Sequence, residues 1–468
     1  MGKQFLTVFV LSVITAVLSF TASLCDVRSG ANRGWVFSGD ATYYYDDLGD
    51  EYVGFREIPE DGKTRYFDED THIMAKGETE ISGNMYLFGS DGVMMTGFQD
   101  VKGEKRYYSP ETGIMKKGWL YDKKDTYYFD KDSGAMLTGW QELDGKKYYF
   151  EPESGKASTG LFTLEEGTYY ADPYTSAVAS GLKAIEGKQY FFDEETGLMK
   201  KGWVDYEGEK YYFNEETGEG LDGIVEKEDG KYGFIGGLMI RNKRAMANNH
   251  LYYFGDDGKV TREVDGSKPM VALTYDDGPS KYTSEIIDTF EKYGGKATFF
   301  IVGDRISWNE EHAKREGELN YELGNHTYSH NTLTKLTEEQ IKEKLQKTDD
   351  ELLRVTGRKS TCLRPPGGSC NDKVKKAANL PIIIWSVDTE DWKSRNAEKI
   401  CNRVIGKVKD GDIVLMHDLY ESTAQATKKI VPALTNAGFQ LVTVEEMGLL
   451  KQGGLENGVV YYSIGKKQ

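Results

Sequence analysis

A 21-residue period runs through the first half of this chain and sets what that half can fold into. Gly97-Phe98, Gly118-Trp119, Gly139-Trp140, Gly160-Leu161, Gly181-Leu182, Gly202-Trp203 and Gly223-Ile224 stand 21 residues apart. Tyr86, Tyr107, Tyr128, Tyr149, Tyr170, Phe191 and Tyr212 keep the same step. Gly54, Gly77 and the Tyr252–Phe254 region mark less regular copies. From Trp35 to Phe254 the chain is rich in Gly, Tyr, Lys, Asp and Glu and poor in aliphatics. A fixed short period means a stacked array in which each unit buries its face on its neighbours. Aromatic runs such as Lys146–Phe150 have strand character, and turns such as Glu111-Thr-Gly113 and Glu195-Thr-Gly197 follow them. One hairpin per unit is the natural reading. An isolated hairpin is marginal in water, so a β-hairpin solenoid over residues 35–255 is expected.

The second half carries chemistry. Asp276-Asp277 ends Val271–Tyr275, a run that reads as a buried strand. Neighbouring side chains leave a strand end in different directions, so one carboxylate can hold a metal while the other takes a proton. His326 and His330 are four residues apart, which puts both imidazoles on one side of a helical turn or tight loop. Asp277, His326 and His330 then form a set of two imidazoles and one carboxylate with room for water, leaving Asp276 as general base. Each piece alone has a plainer reading: Asp-Asp-Gly-Pro as a turn, the histidines as surface or core residues. Three of the chain's six histidines nevertheless fall in these segments and the ones that follow. Those are Leu363–Gly368, Trp385–Trp392 and Ile413–Asp418.

Residues 268–450 resemble carbohydrate esterase family 4, the NodB-homology polysaccharide deacetylases. Thr274–Gly278, His326–His330, Arg364-Pro-Pro366, Asp391-Trp392 and Leu415–His417 match that family's five motifs in order. The resemblance implies a metal-dependent hydrolase that removes acetyl groups from a glycan. It implies Arg364 paired with Asp276, Asp391 holding His417, and His417 as general acid. Pro366, Gly367, Trp392 and Leu415 would line the substrate pocket, with an oxyanion-holding backbone N–H at Gly367. Gly367 departs from the family, which has an aromatic residue there. Zn2+ is the default cation for such a ligand set, with Co2+, Mn2+ or Fe2+ as alternatives. The implied substrate is peptidoglycan N-acetylglucosamine. The alternatives are chitin oligosaccharides or acetylated xylan, or a surface protein acting mainly through its repeats.

The repeats in turn resemble the cell-wall-binding repeats of choline-binding and glucan-binding surface proteins. In the choline type, aromatic rings cage a quaternary ammonium, a contact with a physical basis in ring quadrupoles. Trp119, Trp140 and Trp203 with Tyr128, Tyr149 and Tyr212 would be the cage residues, for choline or for a glucan wall polymer. The other reading makes all of these aromatics core. Leu161, Leu182 and Ile224 replace the aromatic in three copies, so sites are expected to be absent there. Met94, Met115, Met136 and Met199 keep register and read as core filling.

Alternation in the second half argues parallel β/α layers. Strands are expected at Val271–Tyr275, Ala297–Val302, Ile382–Val387, Ile413–Met416 and Gln440–Val444. Helices are expected at Ser284–Tyr293, Glu338–Val355, Ala397–Val408 and Ala424–Ala437. Layers of this kind are open or closed into a barrel, and the family implies a distorted (β/α) barrel. The expected whole is multidomain. Polar residues 256–267 read as a linker and 451–468 as a C-terminal tail.

At the N-terminus, Lys3 precedes a largely apolar core of sixteen residues, Phe5–Phe20, and then small residues. That is short for a span of about 20 residues and reads as a signal peptide over residues 1–24, cleaved near Ser23. An uncleaved anchor and lipid attachment at Cys25 are the other readings. Simple cleavage predicts a secreted, cell-wall-associated protein with no stable membrane span. Net charge of −17 with no basic patch speaks against a nucleic-acid partner. Cys362 and Cys370 bracket Arg364 and could be bridged in an exported protein, with buried thiols as the other reading.

Overall fold

The computed structural model describes residues 32–465, so the signal-peptide and Cys25 readings lie outside the described residues. The chain divides into two compact units. One runs to Ser180 and includes Glu194–Leu198; the other comprises Gly181–Asp193 and the chain from Met199 onward.

The first unit is a row of hairpins. Each pairs two five-residue strands, as Gly118–Asp122 with Asp125–Phe129 and Gly139–Leu143 with Lys146–Phe150. Successive copies are tied by a backbone bond: Met94 N–H to Thr64 O, 2.9 Å; Met115 N–H to Met85 O, 2.8 Å; Met136 N–H to Lys105 O, 2.8 Å. The methionine side chains settle the register. Met74, Met94, Met115 and Met136 lie where a Cβ would project from Gly92, Gly113, Gly134 and Gly155 of the following copy. Those glycines also have φ of 70–76°, which disfavours any side chain. Where Ala157 stands in for methionine, Ser176 occupies the glycine position at φ 58°, because the smaller residue leaves room for a Cβ.

The second unit begins with hairpins Gly181–Phe192, Gly202–Phe213 and Gly223–Ile235, and continues into a sheet of Arg244–Ala247, His250–Phe254 and Val260–Asp265. Half of the expected linker at 256–267 is therefore strand, Val260–Asp265. Its polar composition hid an alternation in which Val264 is buried while Thr261 and Glu263 face solvent. Val264 and Leu251 pack with Met270, Val442 and Met447 of the β/α part.

That part is a parallel sheet: β1 (Met270–Asp276), β2 (Thr298–Ile301), β3 (Glu322–Asn325), β4 (Cys362–Leu363), β5 (Ile382–Ile383), β6 (Val387–Asp388), β7 (Asp412–His417), β8 (Gln440–Leu441) and β9 (Val460–Tyr461). The strand order is β6-β7-β1-β2-β3-β4-β5-β9, with β8 also beside β1. Helices Thr283–Tyr293, Glu338–Thr356, Ala397–Val404 and Glu421–Asn436 stand where periodicity placed them, apart from their ends. The sequence reading missed β3 and β4. It also took Thr443-Val444 into a strand, whereas Thr443 caps helix Val444–Gln452 through a capping box with Glu446.

Of the expected tail, the described residues 451–465 are packed into the domain. β9 pairs with β5, Ser463 bridges to Asp412 at the start of β7, and Ile464 is buried. Cys362, Cys370 and Cys401 are all free, so the bridged alternative for Cys362 and Cys370 does not hold.

Ion pairs reinforce the contact between the three-stranded sheet and the β/α part. Arg262 Nη2 donates to Glu446 Oε2 at 3.1 Å, Tyr253 donates to the same carboxylate, and Arg244 grips Glu445 with both terminal nitrogens. Burial pushes the Glu446 carboxyl up, but Arg262 and the hydrogen bonds of Tyr253 and the Thr443 backbone together hold the group below the usual carboxylate range. A group depressed in this way stabilises above its unfolded pKa and loses that contribution as pH falls. Arg262→Met leaves Glu446, 1 % exposed, without its cation. We expect a loss of about 3–5 kcal/mol in urea unfolding at pH 7, shrinking at pH 4 as Glu446 protonates. A loss of equal size at both pH values would contradict this account.

Candidate active site

The functional side chains collect at the carboxyl ends of adjacent strands, as expected of parallel β/α layers. Asp276 on β1 sits opposite His417 on β7 and Phe300 on β2. Asp277 follows in a left-handed conformation, φ 71°. His326 leaves the end of β3, and the loop to His330 turns through positive φ at Thr327 and His330. Asn325 braces this loop: its Oδ1 accepts from Thr327 N–H at 2.9 Å, and its Nδ2 donates to Leu345 O at 3.0 Å. The two imidazoles share a side because of a tight loop, not a helix.

Asp277 Oδ1 lies 3.7 Å from His326 Nε2 and 3.3 Å from His330 Nε2. The three ligand atoms fall within 4.8 Å of one another, and Asp277 Oδ1 is buried with no hydrogen-bond partner. The Arg364 carbonyl lies 2.6 Å from His326 Nδ1 and accepts its proton, so Nε2 keeps its lone pair. Burial drives the His326 imidazole down to about 3 against the pull of Asp277, which keeps it neutral. An orphaned carboxylate oxygen beside a neutral imidazole nitrogen suits a divalent cation.

Asp276, 3 % exposed, bonds Arg364 Nη1 through Oδ1 at 2.6 Å. Its Oδ2 lies 3.8 Å from His326 Nε2. Burial raises the Asp276 carboxyl, and Arg364 and His417 act to lower it. Asp391 is fully buried and holds His417 twice, Oδ1 to the ring Nδ1 at 2.8 Å and Oδ2 to the backbone N–H at 2.7 Å. Thr423 Oγ1 adds a third bond to Asp391 at 2.7 Å, a contact with no signal in the sequence. Burial alone would lower the His417 imidazole. The Asp391 hydrogen bond and charge, with Asp276 and Asp277, push it up to about 9 instead. Leu415 is buried and Trp392 half-exposed. Gly367, beside buried Pro366, has φ 66° with open space at its Cβ position. That left-handed conformation is one glycine adopts without strain.

Among the repeats, Trp119, Trp140 and Trp203 each meet a tyrosine of their own hairpin and one of the next. Trp119 lies 4.8 Å from Tyr128 and 4.9 Å from Tyr148; Trp140, 5.2 Å from Tyr149 and 4.9 Å from Tyr169; Trp203, 4.9 Å from Tyr212 and 5.5 Å from Tyr232. Tyr148, Tyr169 and Tyr232 were missed, because the partner ring comes from the following copy. Phe98 keeps the same arrangement with Tyr107 and Tyr127. Tyr128 and Tyr212 are buried, whereas Trp140 and Trp203 remain about 40 % exposed. Lys210 Nζ lies 5.4 Å over the Trp203 ring, and Tyr121 stacks on Trp119 at 6.1 Å.

Residues 263–381 match the family model described as polysaccharide deacetylase. Residues 95–138 and 179–221 match the choline-binding repeat, and 138–157 the putative cell wall binding repeat. The chain is 38% identical over 190 residues to peptidoglycan-N-acetylmuramic acid deacetylase PdaC of Bacillus subtilis, covering 40% of this chain and 41% of that protein. It is 40% identical over 178 residues to peptidoglycan-N-acetylglucosamine deacetylase PgdA of Listeria monocytogenes, covering 38% of each. The chain thus spans about two fifths of the length of these two curated relatives. A peptidoglycan-N-acetylglucosamine deacetylase of Bacillus cereus is 34% identical over 199 residues, covering 41% of this chain and 93% of that protein. Among the described residues, no helix is long and apolar enough to cross a membrane.

The geometry makes the His417 proton depend on Asp391. Asp391→Asn keeps an oxygen for the imidazole but removes the charge. The His417 titration, followed by nitrogen NMR, should fall from near 9 by more than about one pH unit. An unchanged titration would contradict the assignment.

Proposed function

The chain belongs to the polysaccharide deacetylase family, and we propose that it is an exported hydrolase that removes N-acetyl groups from peptidoglycan N-acetylglucosamine, held on the wall by its hairpins. One observation carries the reading. An arginine-paired carboxylate, a His-His-Asp set and an Asp-backed histidine meet at neighbouring strand ends. The relatives' names supply the substrate class.

In this reading Asp277, His326 and His330 hold the divalent cation. Once bound, it would polarise the acetyl carbonyl and lower the pKa of a water, with Zn2+ the default choice. The chain's own groups do the rest. Asp276 takes the proton of the attacking water through Oδ2, since Oδ1 is engaged by Arg364. The Gly367 backbone N–H faces the developing oxyanion. His417, an imidazolium at neutral pH, gives its Nε2 proton to the leaving nitrogen while Asp391 keeps Nδ1. Without that proton, C–N cleavage would expel an amide anion. Leu415 and Trp392 hold the acetyl methyl group.

Acetate release from peptidoglycan, chitin oligomers and acetylxylan by the full chain tests the reading. Peptidoglycan should be the best substrate, and a chelator should stop the reaction. Metal-loaded protein that releases acetate from none of the three would overturn it. Faster release from chitin or xylan would move the substrate.

For the hairpins, the proposed ligand is a choline-bearing wall polymer seated on Trp119, Trp140 and Trp203 with their tyrosines. Retention on cell walls should be reversed by free choline, and Trp140→Ala should weaken it. Elution by a glucan with choline inert would place the array in the glucan-binding class.

A further inference from the structure

Asp418 follows the candidate acid His417 and has no part in the chemistry above, yet it is fully buried beside the segment in which β1 ends at Asp276 and continues to Asp277. Its backbone N–H donates to Asp276 O at 3.3 Å, and its carbonyl accepts from Ser280 Oγ at 2.6 Å. Its Oδ2 accepts from Thr283 Oγ1, which in turn accepts from Ser280 N–H at 2.8 Å. A Cβ on Gly278, the residue after Asp277, would overlap both carboxylate oxygens of Asp418. The other oxygen, Oδ1, has no hydrogen-bond partner. A buried carboxylate with an unmatched oxygen is a liability to the fold, which a residue needed only to fill space would avoid. The contacts all converge on one segment, Asp276–Thr283.

We propose that Asp418 is a positioning residue: it clamps the backbone of Asp276–Ser280 from below, so that Asp277 faces the histidines while Asp276 faces Arg364. The clamp works through shape and hydrogen bonding. It rests on the metal reading of Asp277, His326 and His330.

The test uses the full chain, with Zn2+ affinity measured by competition against a chromophoric chelator, and kcat and KM for acetate release. Asp418→Ala should weaken Zn2+ binding by about 10–100-fold, the range seen when groups supporting metal ligands are removed. It should lower kcat more than KM. Asp418→Asn, whose amide oxygen can still accept from Thr283, should restore most of both. Gly278→Ala pushes on the clamp from the other side and should weaken Zn2+ binding as well; it reads the same contact should Asp418→Ala fail to fold. Adding Asp418→Ala to Gly278→Ala should then cost little more, because the two act on one contact. Wild-type affinity and kcat in Asp418→Ala or Gly278→Ala would overturn the inference, as would an equal loss in Asp418→Asn. Wild-type protein that binds no Zn2+ would instead overturn the metal reading beneath it.

Discussion

Arg364 is fully buried and gives its guanidinium protons to four oxygens: Ile383 O at 3.1 Å, Ile384 O at 2.9 Å, Thr274 Oγ1 at 2.7 Å and Asp276 Oδ1 at 2.6 Å. It also stacks on Phe300 at 4.0 Å. Taking such a charge out of water costs several kcal/mol unless it is paired and bonded, so the contact with Asp276 is a condition of the fold. The same residue's carbonyl sets the His326 tautomer. One buried cation thus ties β1, β4 and β5 together, restrains one carboxylate and aims one imidazole. Proposed catalysis and core packing share a single interaction, and this is why the site lies on short strand ends rather than on long loops.

The hairpins solve a different problem. Each is too small to bury its own aromatics, so rings and methionines are exchanged between neighbours. Stacking leaves the tryptophans half-covered, which is the geometry a cation-binding aromatic face requires. Tyr128 and Tyr212 are buried and serve the core, and Trp140 and Trp203, about 40 % exposed, are the proposed ligand positions.

Much of this was legible in the sequence. The 21-residue step located the hairpins, and residue types at strand ends pointed to Asp276, Asp277, His326 and His330. What escaped has physical causes. β4 is two residues long, too short for any period to register. Val260–Asp265 buries one aliphatic residue and one paired arginine, so it looked like polar linker. The Tyr148, Tyr169 and Tyr232 partners arise only on stacking, and the Asp418 clamp depends on a backbone contact at Gly278. Such features belong to three-dimensional neighbours and leave no spacing to read.

The central claim is that two adjacent carboxylates have been separated into a metal ligand and a base by what each one touches. Bound metal measured by emission spectroscopy, alongside acetate release, tests it in Asp276→Asn and Asp277→Asn. Asp276→Asn should keep its metal while turnover falls by about 10²–10⁴-fold, the usual contribution of a general base. Asp277→Asn should lose its metal. Loss of metal from Asp276→Asn with retention in Asp277→Asn would contradict the account.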